Sequence, residues 1–132
     1  MNKLQQIREN LAHVKVLYVE DEDQVRDMTV KFLEKMFMHI DKAVDGQDGL
    51  DLFKENQYDL VITDLKMPRM DGRTMLAKIK ELDTDAILFV MTASDSNIDM
   101  SETVSDIYMH KPIDINDFIE AVESIQTRLQ NR

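Results

Sequence analysis

Short apolar runs alternate along this chain with segments in which apolar residues recur every three or four positions. Five runs rich in β-branched and apolar residues predict strands at residues 14–19, 40–44, 60–64, 87–91 and 107–110. The helical spacing between and after them predicts helices at residues 24–37, 49–55, 74–82 and 118–129. In the first of these helices the apolar stripe comprises Val25, Met28, Phe32 and Met36. Alternating strands and helices predict a parallel sheet with helices on both faces.

Two segments depart from this pattern. Residues 1–12 place Leu4, Ile7 and Leu11 on one helical stripe, but a helix this short is marginal on its own. We therefore expect either a frayed lead-in, the alternative we favour, or a small extra helix packed on the domain. The segment 94–106 is polar with few apolar residues, so the helix predicted between the fourth and fifth strands is short, reshaped or mobile.

The length and composition are those of one folded domain. A chain of 132 residues is long enough to bury a core, and its 43% apolar and 32% charged residues match globular proteins rather than disordered ones. No apolar run approaches the roughly 20 residues that a membrane helix needs, and the first residues lack the apolar stretch of a signal peptide. With no cysteine, the fold cannot contain a disulfide. The absence of an export signal favours the cytoplasm.

The charge of the chain argues against a nucleic-acid-binding surface. Asp and Glu number 26 against 16 Lys and Arg, so the net charge is −10, and the basic residues are scattered. Contact with phosphate backbones needs clustered Lys and Arg. We therefore expect no direct nucleic-acid contact and no membrane association, and protein partners instead.

The most informative segment is 60–72, LVITDLKMPRMDG, in which an apolar run ends in a carboxylate. Asp64 follows this run, a stiff Met-Pro loop comes next, and an Asp-Gly pair precedes a new helical pattern. A carboxylate at the end of a buried strand lies at the sheet edge where open α/β folds place their reactive groups. A second acidic segment, 20–23, follows the first strand directly. Within it, we expect Glu22 and Asp23 to cap the following helix.

Segment 60–72 resembles the phospho-acceptor loop of two-component response regulator receiver domains. Further matches follow in the order expected for that family: an acidic pair after the first strand, Thr92 closing the fourth strand, a tyrosine in the fifth strand and a Lys-Pro pair at its end. The resemblance covers about residues 13–132 and implies a flavodoxin-like α/β fold, a doubly wound five-stranded parallel sheet of strand order 2-1-3-4-5. It divides the chain into an N-terminal extension, residues 1–12, and a receiver domain, residues 13–132.

The resemblance implies that Asp64 accepts a phosphoryl group and that Mg²⁺ assists the transfer. The family's acidic pair corresponds to Glu20 and Asp21, and the main-chain carbonyl two residues after the acceptor belongs to Lys66. The predicted metal ligands are therefore Glu20, Asp21, Asp64 and the carbonyl of Lys66. Carboxylates gathered in one pocket raise one another's pKa unless a cation neutralises them, and Mg²⁺ prefers oxygen ligands. The family more commonly has Asp at the position of Glu20.

The resemblance also assigns roles to three residues near the ends of the last two strands. Lys111, in the Lys-Pro pair, would stabilise the phosphoryl oxygens, and Thr92 would turn its hydroxyl toward one of them. Lys111 and Thr92 thus complete the predicted catalytic set. Tyr108 corresponds to the aromatic residue that changes rotamer, so Thr92 and Tyr108 are the predicted switch. Lys66 and Ser94 occupy positions that tune the lifetime of the phosphoryl group in the family.

The function that the resemblance implies is phosphorelay signal transduction. A sensor histidine kinase or a phosphotransfer protein would supply the phosphoryl group, and the switch would alter a surface recognised by an unknown downstream protein. The domain would catalyse its own phosphorylation and slow hydrolysis, which makes it a signalling protein rather than a metabolic enzyme. A phosphorylation-dependent homodimer is also consistent with the family. Both a stand-alone regulator and a receiver that is part of a longer protein remain open.

Other functions agree less well with the sequence. A flavodoxin has a phosphate loop rich in Ser, Thr and Gly after the first strand, whereas this chain has an acidic one. The P-loop motif is absent, and an aspartate-based phosphatase lacks the Met-Pro-x-Met-Asp-Gly segment. His13, His39 and His110 are not at metal-ligand spacing. The alternative that stays open is a phosphorylation-independent scaffold with the receiver fold.

Overall fold

A computed structural model describes residues 2–93 and 103–132, which form a parallel sheet with helices on both faces. The elements in chain order are α1 (Lys3–Asn10), β1 (Lys15–Val19), α2 (Asp23–Leu33), β2 (His39–Ala43), α3 (Gly46–Glu55), β3 (Leu60–Thr63), α4 (Gly72–Leu82), β4 (Ile87–Ala93), β5 (Ile107–Lys111) and α5 (Ile115–Gln130). The five strands pair in the order β2-β1-β3-β4-β5, and each pairing is parallel. The predicted fold class and strand order are confirmed.

The central strands are apolar along their length because helices cover both faces of the sheet. Successive residues of β1 face different cores: Tyr18 packs on the side of α1, α2 and α5, whereas Val19 packs on the side of α3 and α4. Phe89 and Phe118, whose ring centroids are 5.2 Å apart, join β4 to α5. This cover on both faces orients the strands so that their C-terminal ends share one edge.

Two helices differ from the sequence prediction. The helix α2 ends at Leu33 instead of residue 37, and Met28, which belongs to the predicted apolar stripe, is 73% exposed while Leu33 is fully buried. Apolar residues lie on two sides of this helix, and packing against the sheet selects the buried side. The helix α3 begins at Gly46, earlier than the predicted residue 49, because the Asp45 side chain caps it by accepting a backbone hydrogen bond.

The N-terminal segment forms the extra helix rather than the frayed lead-in that the sequence favours. The Asn2 side chain accepts a hydrogen bond from the Gln5 backbone, and the Gln5 side chain accepts one from the Asn2 backbone. Ile7 and Leu11 are buried in the core that includes α5. A helix of eight residues is marginal alone, so this buried stripe is what stabilises α1.

The connection between β4 and β5 is described only at its ends. The helix predicted at 94–106 falls largely on residues outside those that the structure describes, and so does Ser94. Asp106 aligns the start of β5 with β4, because its amide donates to the Leu88 carbonyl at 2.8 Å and its carboxylate accepts from the Leu88 amide at 2.8 Å. No helix in the described ranges is both long and apolar enough to span a bilayer.

We predict that Ile7→Ala will destabilise the whole domain rather than only fray α1. Ile7 is 3% exposed and packs in the core shared with α5, so its truncation should lower the free energy of unfolding by about 2–4 kcal/mol. Urea denaturation followed by circular dichroism measures this change. The matched control is Met28→Ala, which should change stability by less than about 0.5 kcal/mol because Met28 is 73% exposed. Equal stability of the two variants would show that α1 is not part of the cooperative fold.

Candidate functional site

The parallel sheet brings four polar side chains to the C-terminal edge of its strands. In the sheet, β3 lies between β1 and β4, and β4 lies between β3 and β5. Glu20 follows β1, Asp64 follows β3, Thr92 lies near the end of β4, and Lys111 ends β5. These residues are far apart in the chain, but they meet because neighbouring parallel strands end at the same edge.

Asp64 is held between a cation and a hydroxyl group. Its Oδ2 accepts a hydrogen bond from Lys111 Nζ at 3.1 Å, and its Oδ1 accepts one from Thr92 Oγ1 at 3.2 Å. Lys111 Nζ also donates to Glu20 Oε1 at 2.9 Å. Glu20 is buried, whereas Asp64 and Lys111 are partly exposed, so a small reactant can reach the carboxylate of Asp64 from solvent.

The loop after β3 orients the Asp64 carboxylate. The backbone amide of Leu65 donates to Oδ1 at 2.6 Å, and that of Lys66 donates to the same atom at 3.4 Å. The loop closes where the Gly72 amide donates to the Leu65 carbonyl at 2.7 Å. A Cβ atom at residue 72 would collide with the Asp64 carbonyl oxygen, so this closure requires glycine.

The site carries more negative than positive charge. The three carboxylates of Glu20, Asp21 and Asp64 outnumber the ammonium group of Lys111 by two when all four are ionised. The charges of Arg26 and Asp23, which pair with each other beside Glu20, cancel. Burial raises the pKa of Glu20, an effect that the hydrogen bond from Lys111 opposes. Burial also disfavours the charged form of Lys111, but the hydrogen bonds and charges of Glu20 and Asp64 outweigh it and raise the pKa of Lys111.

The donor atoms and the charge at this edge fit a divalent cation with oxygen ligands. Glu20 and Asp64 present carboxylate oxygens on either side of Lys111, and Mg²⁺ is typically held by one or two carboxylates together with waters and phosphate oxygens. Asp21 is exposed, and its amide donates to Glu20 Oε2 at 3.0 Å. Within residues 2–93 and 103–132, no three His, Asp or Glu side chains come together as a ready-made metal-binding group. The structure thus brings Glu20 and Asp64 together. Metal ligation by these two carboxylates, by Asp21 and by the Lys66 carbonyl stays a prediction.

Tyr108 lies on β5 but shares none of the hydrogen bonds described above. It is half-buried against the core that includes α3 and α4, and its ring meets that of His110 edge to face with centroids 4.8 Å apart. The peptide bond between Lys111 and Pro112 at the end of the same strand is cis. The role of Tyr108 in a switch stays a prediction.

Two features near the site were not predicted from the sequence. Arg26 Nη1 donates to the Glu20 carbonyl oxygen at 2.9 Å, and the guanidinium group also pairs with Asp23 at 2.5 Å. Arg69, in the loop after β3, forms a bidentate ion pair with Asp45, with N···O distances of 2.6 and 2.9 Å. The pair Asp45-Gly46 is a recognisable helix start, but nothing in the sequence around it indicates that Asp45 binds Arg69, which lies 24 residues further along the chain.

The chain matches a family model and curated proteins of one kind. The model is described as the response regulator receiver domain, and it matches residues 16–123. The transcriptional regulatory protein SrrA of Staphylococcus aureus (strain NCTC 8325) is 30% identical over 118 residues, which cover 88% of this chain and 49% of that protein. The chain therefore spans about half the length of the curated relatives that it matches.

Solved structures with the same fold agree with this match. The N-terminal domain of an uncharacterized protein from Wolinella succinogenes is 28% identical, with a TM-score of 0.77 over 86% of this chain and 94% of that one. The response regulator protein TrrA of Thermotoga maritima, solved in complex with Mg²⁺-BeF, is also 28% identical. Its TM-score is 0.73, and the match covers 85% of this chain and 98% of that one.

We predict that Lys111→Met will destabilise the fold in the absence of Mg²⁺. The buried Glu20 carboxylate would lose its cation, and the free energy of unfolding at pH 7 should fall by about 2–4 kcal/mol. This range lies below the cost for a deeply buried pair because the Lys111 side chain is 26% exposed. Urea denaturation measures the loss, and Lys78→Met on the exposed side of α4 is the control.

The loss in Lys111→Met should depend on pH. In the variant, burial still raises the pKa of Glu20, and the opposing effect of Lys111 is gone. The Glu20 carboxyl group therefore stays protonated to a higher pH in the folded chain than in the unfolded chain. The deficit against wild type should therefore be smallest below pH 4.5, the ordinary glutamate value, and should grow as the pH rises above it. A deficit that is constant from pH 4 to 7 would assign the loss to packing instead.

Proposed function

This chain belongs to the response regulator receiver domain family, and from that premise we propose that it is a phosphorylation-dependent signalling switch whose acceptor is Asp64. A sensor histidine kinase or a phosphotransfer protein would supply the phosphoryl group. The observation that carries the proposal is the position of Asp64 after β3, with one carboxylate oxygen 3.1 Å from Lys111 Nζ and the other 3.2 Å from Thr92 Oγ1. A phosphoryl group that reaches Asp64 would meet a cation and a hydroxyl donor at once.

Asp64 is the nucleophile in the proposed transfer. One carboxylate oxygen forms a bond to phosphorus as the bond between phosphorus and the donor atom breaks, and the donor leaves with that electron pair. The product is an acyl phosphate on Asp64. Lys111, whose pKa is raised by its carboxylate partners, stays charged and stabilises the phosphoryl oxygens. In the slow hydrolysis that follows, water attacks phosphorus and the bond between phosphorus and the Asp64 oxygen breaks. The Asp64 carboxylate is regenerated, inorganic phosphate is released, and the proton from water passes to the phosphate or to solvent.

We assign the Mg²⁺ site to Glu20, Asp21, Asp64 and the main-chain carbonyl of Lys66. The excess of two negative charges at this edge and the burial of Glu20 beside Asp64 support the assignment. Bound Mg²⁺ would offset the repulsion between the carboxylate and the phosphoryl group that approaches it. The structure of TrrA with Mg²⁺-BeF, from a protein 28% identical to this chain, supports a similar requirement here.

Thr92 and Tyr108 form the proposed switch. Thr92 Oγ1 contacts Asp64 at 3.2 Å, so a phosphoryl group on Asp64 would offer this hydroxyl a new partner. Tyr108 lies on β5, the strand beside the one that carries Thr92. It is half-buried, so its ring is within reach of both the core and solvent. Contacts with the phosphoryl group would favour the active conformation to the extent that they are stronger there.

The partners and the extent of the domain are also proposals. The surface that changes on phosphorylation would bind a downstream protein. It could also bind a second copy of this chain, which would give a phosphorylation-dependent homodimer. Residues 13–132 would form the receiver domain, with α1 as an addition that packs on it. The chain spans about half the length of its curated relatives, so the response that the whole protein controls is a proposal as well. A cytoplasmic location is also part of the proposal.

We predict that acetyl phosphate and Mg²⁺ will add one phosphoryl group to the wild-type chain and none to Asp64→Asn. Asn keeps the shape of the side chain but lacks the carboxylate nucleophile. Intact-mass spectrometry measures the gain with and without Mg²⁺. The matched control is Asp71→Asn, because Asp71 lies in the same loop and caps α4 through the Thr74 amide, a role that Asn can fill.

The outcomes of this experiment separate the alternatives. Asp71→Asn should take up the phosphoryl group at a rate close to that of wild type. Uptake by Asp64→Asn at the wild-type rate would remove Asp64 as the acceptor. If wild type gains nothing from acetyl phosphate or from a phosphorylated histidine phosphotransfer protein, the scaffold alternative becomes the better account.

We predict that Thr92→Ala will accept the phosphoryl group but respond to it weakly. The variant loses the hydroxyl that contacts Asp64, and a hydrogen bond worth about 1 kcal/mol corresponds to a roughly fivefold change in the active population. NMR of fluorotyrosine-labelled protein with and without beryllofluoride reports the environment of Tyr108. Thr127→Ala, at an exposed position of α5, is the control and should respond as wild type does. A full response from Thr92→Ala would exclude Thr92 from the switch.

A further inference from the structure

The loop after β3 contains a turn that a non-glycine residue rarely adopts. Arg69 has a φ of 64°, and the Met70 amide donates to the Pro68 carbonyl at 2.7 Å across it. A three-residue turn with a positive φ at its centre is the rare and strained form of the γ-turn. Such a backbone persists only where the surrounding contacts impose it, and strained residues cluster at functional sites.

The side chain at the centre of this turn forms a bidentate ion pair. Arg69 Nε lies 2.6 Å from Asp45 Oδ2, and Arg69 Nη2 lies 2.9 Å from Asp45 Oδ1. The Asp45 side chain is 8% exposed, so its carboxylate needs partners, and the hydrogen bond from Arg69 lowers the pKa of Asp45. A planar guanidinium group that binds both oxygens fixes an orientation as well as a distance.

The other end of the ion pair is held rigidly. Asp45 caps α3 by accepting a hydrogen bond from the Asp48 amide at 2.8 Å, and the Asp48 side chain accepts one from the Val44 amide at 3.0 Å. The loop after β3 approaches this helix start so closely that a Cβ atom at Gly46 would collide with the Met70 carbonyl oxygen. The loop is therefore docked on the start of α3 by backbone contact as well as by charge.

This docking lies close to the acceptor. We call residues 65–71 the acceptor loop; the amides of its first two residues donate to Asp64 Oδ1 at 2.6 and 3.4 Å. We propose that Arg69 and Asp45 are positioning residues for phosphoryl transfer, because their ion pair holds the acceptor loop in place at the Asp64 carboxylate. The inference rests on the proposed function and extends it to two residues that touch none of the reacting atoms.

Loss of the ion pair would act on the site through the backbone. A loosened acceptor loop would weaken the two amide hydrogen bonds that orient the Asp64 carboxylate. It would also displace the Lys66 carbonyl, which the proposed function assigns to Mg²⁺. Both Mg²⁺ affinity and the rate of phosphoryl uptake should therefore fall, although every group that contacts the phosphoryl group is retained.

Three variants and a control separate positioning from folding. Arg69→Gln and Asp45→Asn each remove one charge of the pair, and Asn at residue 45 retains the cap of α3. Arg69→Lys keeps the charge but cannot bind both carboxylate oxygens in one plane. The control is Arg128→Gln, which removes an arginine of similar exposure from its ion pair with Asp106, away from the acceptor.

The measurements are the Mg²⁺ dissociation constant by calorimetry, phosphoryl uptake from acetyl phosphate by mass, and amide exchange of the acceptor loop by NMR. Arg69→Gln and Asp45→Asn should each weaken Mg²⁺ binding and slow uptake about fivefold, and the double variant should be no worse than either single one. Arg69→Lys should recover part of the loss. Amide exchange should quicken in the acceptor loop alone, and Arg128→Gln should match wild type.

Several outcomes would overturn the positioning role. They are losses that add in the double variant, an unchanged Mg²⁺ affinity in both single variants, or an equal loss in Arg128→Gln. The measurement on the wild-type chain tests the proposed function separately, because the absence of Mg²⁺-dependent phosphoryl uptake would contradict that function. In that case the exchange rates of the acceptor-loop amides still decide whether the ion pair holds the loop, and unchanged rates in both single variants would refute it.

Discussion

The ammonium group of Lys111 lies between the carboxylates of Glu20 and Asp64, at 2.9 and 3.1 Å, and these two ion pairs join the ends of β1, β3 and β5. Glu20 is almost fully buried, and a buried carboxylate is costly unless a cation and hydrogen bonds compensate it. The same contacts leave Asp64 with a fixed orientation at the rim of the sheet. The orientation of the Asp64 carboxylate and the charge balance of the site depend on this arrangement.

The site nevertheless remains electrostatically incomplete with Lys111 alone. Three carboxylates against one ammonium leave an excess of negative charge, and like charges at one edge oppose each other. A group that binds only the folded chain stabilises it by mass action. On the proposed function, cation binding and folding stability are therefore linked, and the charge that favours Mg²⁺ is also a local cost to the metal-free fold.

The strands and the loops of the molecule are positioned by different interactions. Two apolar cores, one on each face of the sheet, set the strand directions and so bring the strand ends together. The loops are then placed by close backbone contacts, in which Gly72 and Gly46 leave room for neighbouring carbonyl oxygens. The ion pair of Arg69 with Asp45 adds an orientation to these contacts, because its two hydrogen bonds hold a strained turn. The position of Asp64 is thus set by the sheet, and the loop around it is set by backbone contacts and an ion pair.

Local apolar periodicity and residue type were enough to predict the alternation of strands and helices, the position of Asp64 after a buried strand and the order of motifs that resembles receiver domains. The strand order followed from the resemblance and not from periodicity. Three features depend on packing between distant parts of the chain and could not be predicted from the sequence: the exposure of Met28, the packed helix near the N-terminus and the ion pair of Arg69 with Asp45. A periodic pattern marks several apolar faces equally well, and a short helix or an ion pair between distant residues exists only once the sheet supplies the surface or brings the partners together.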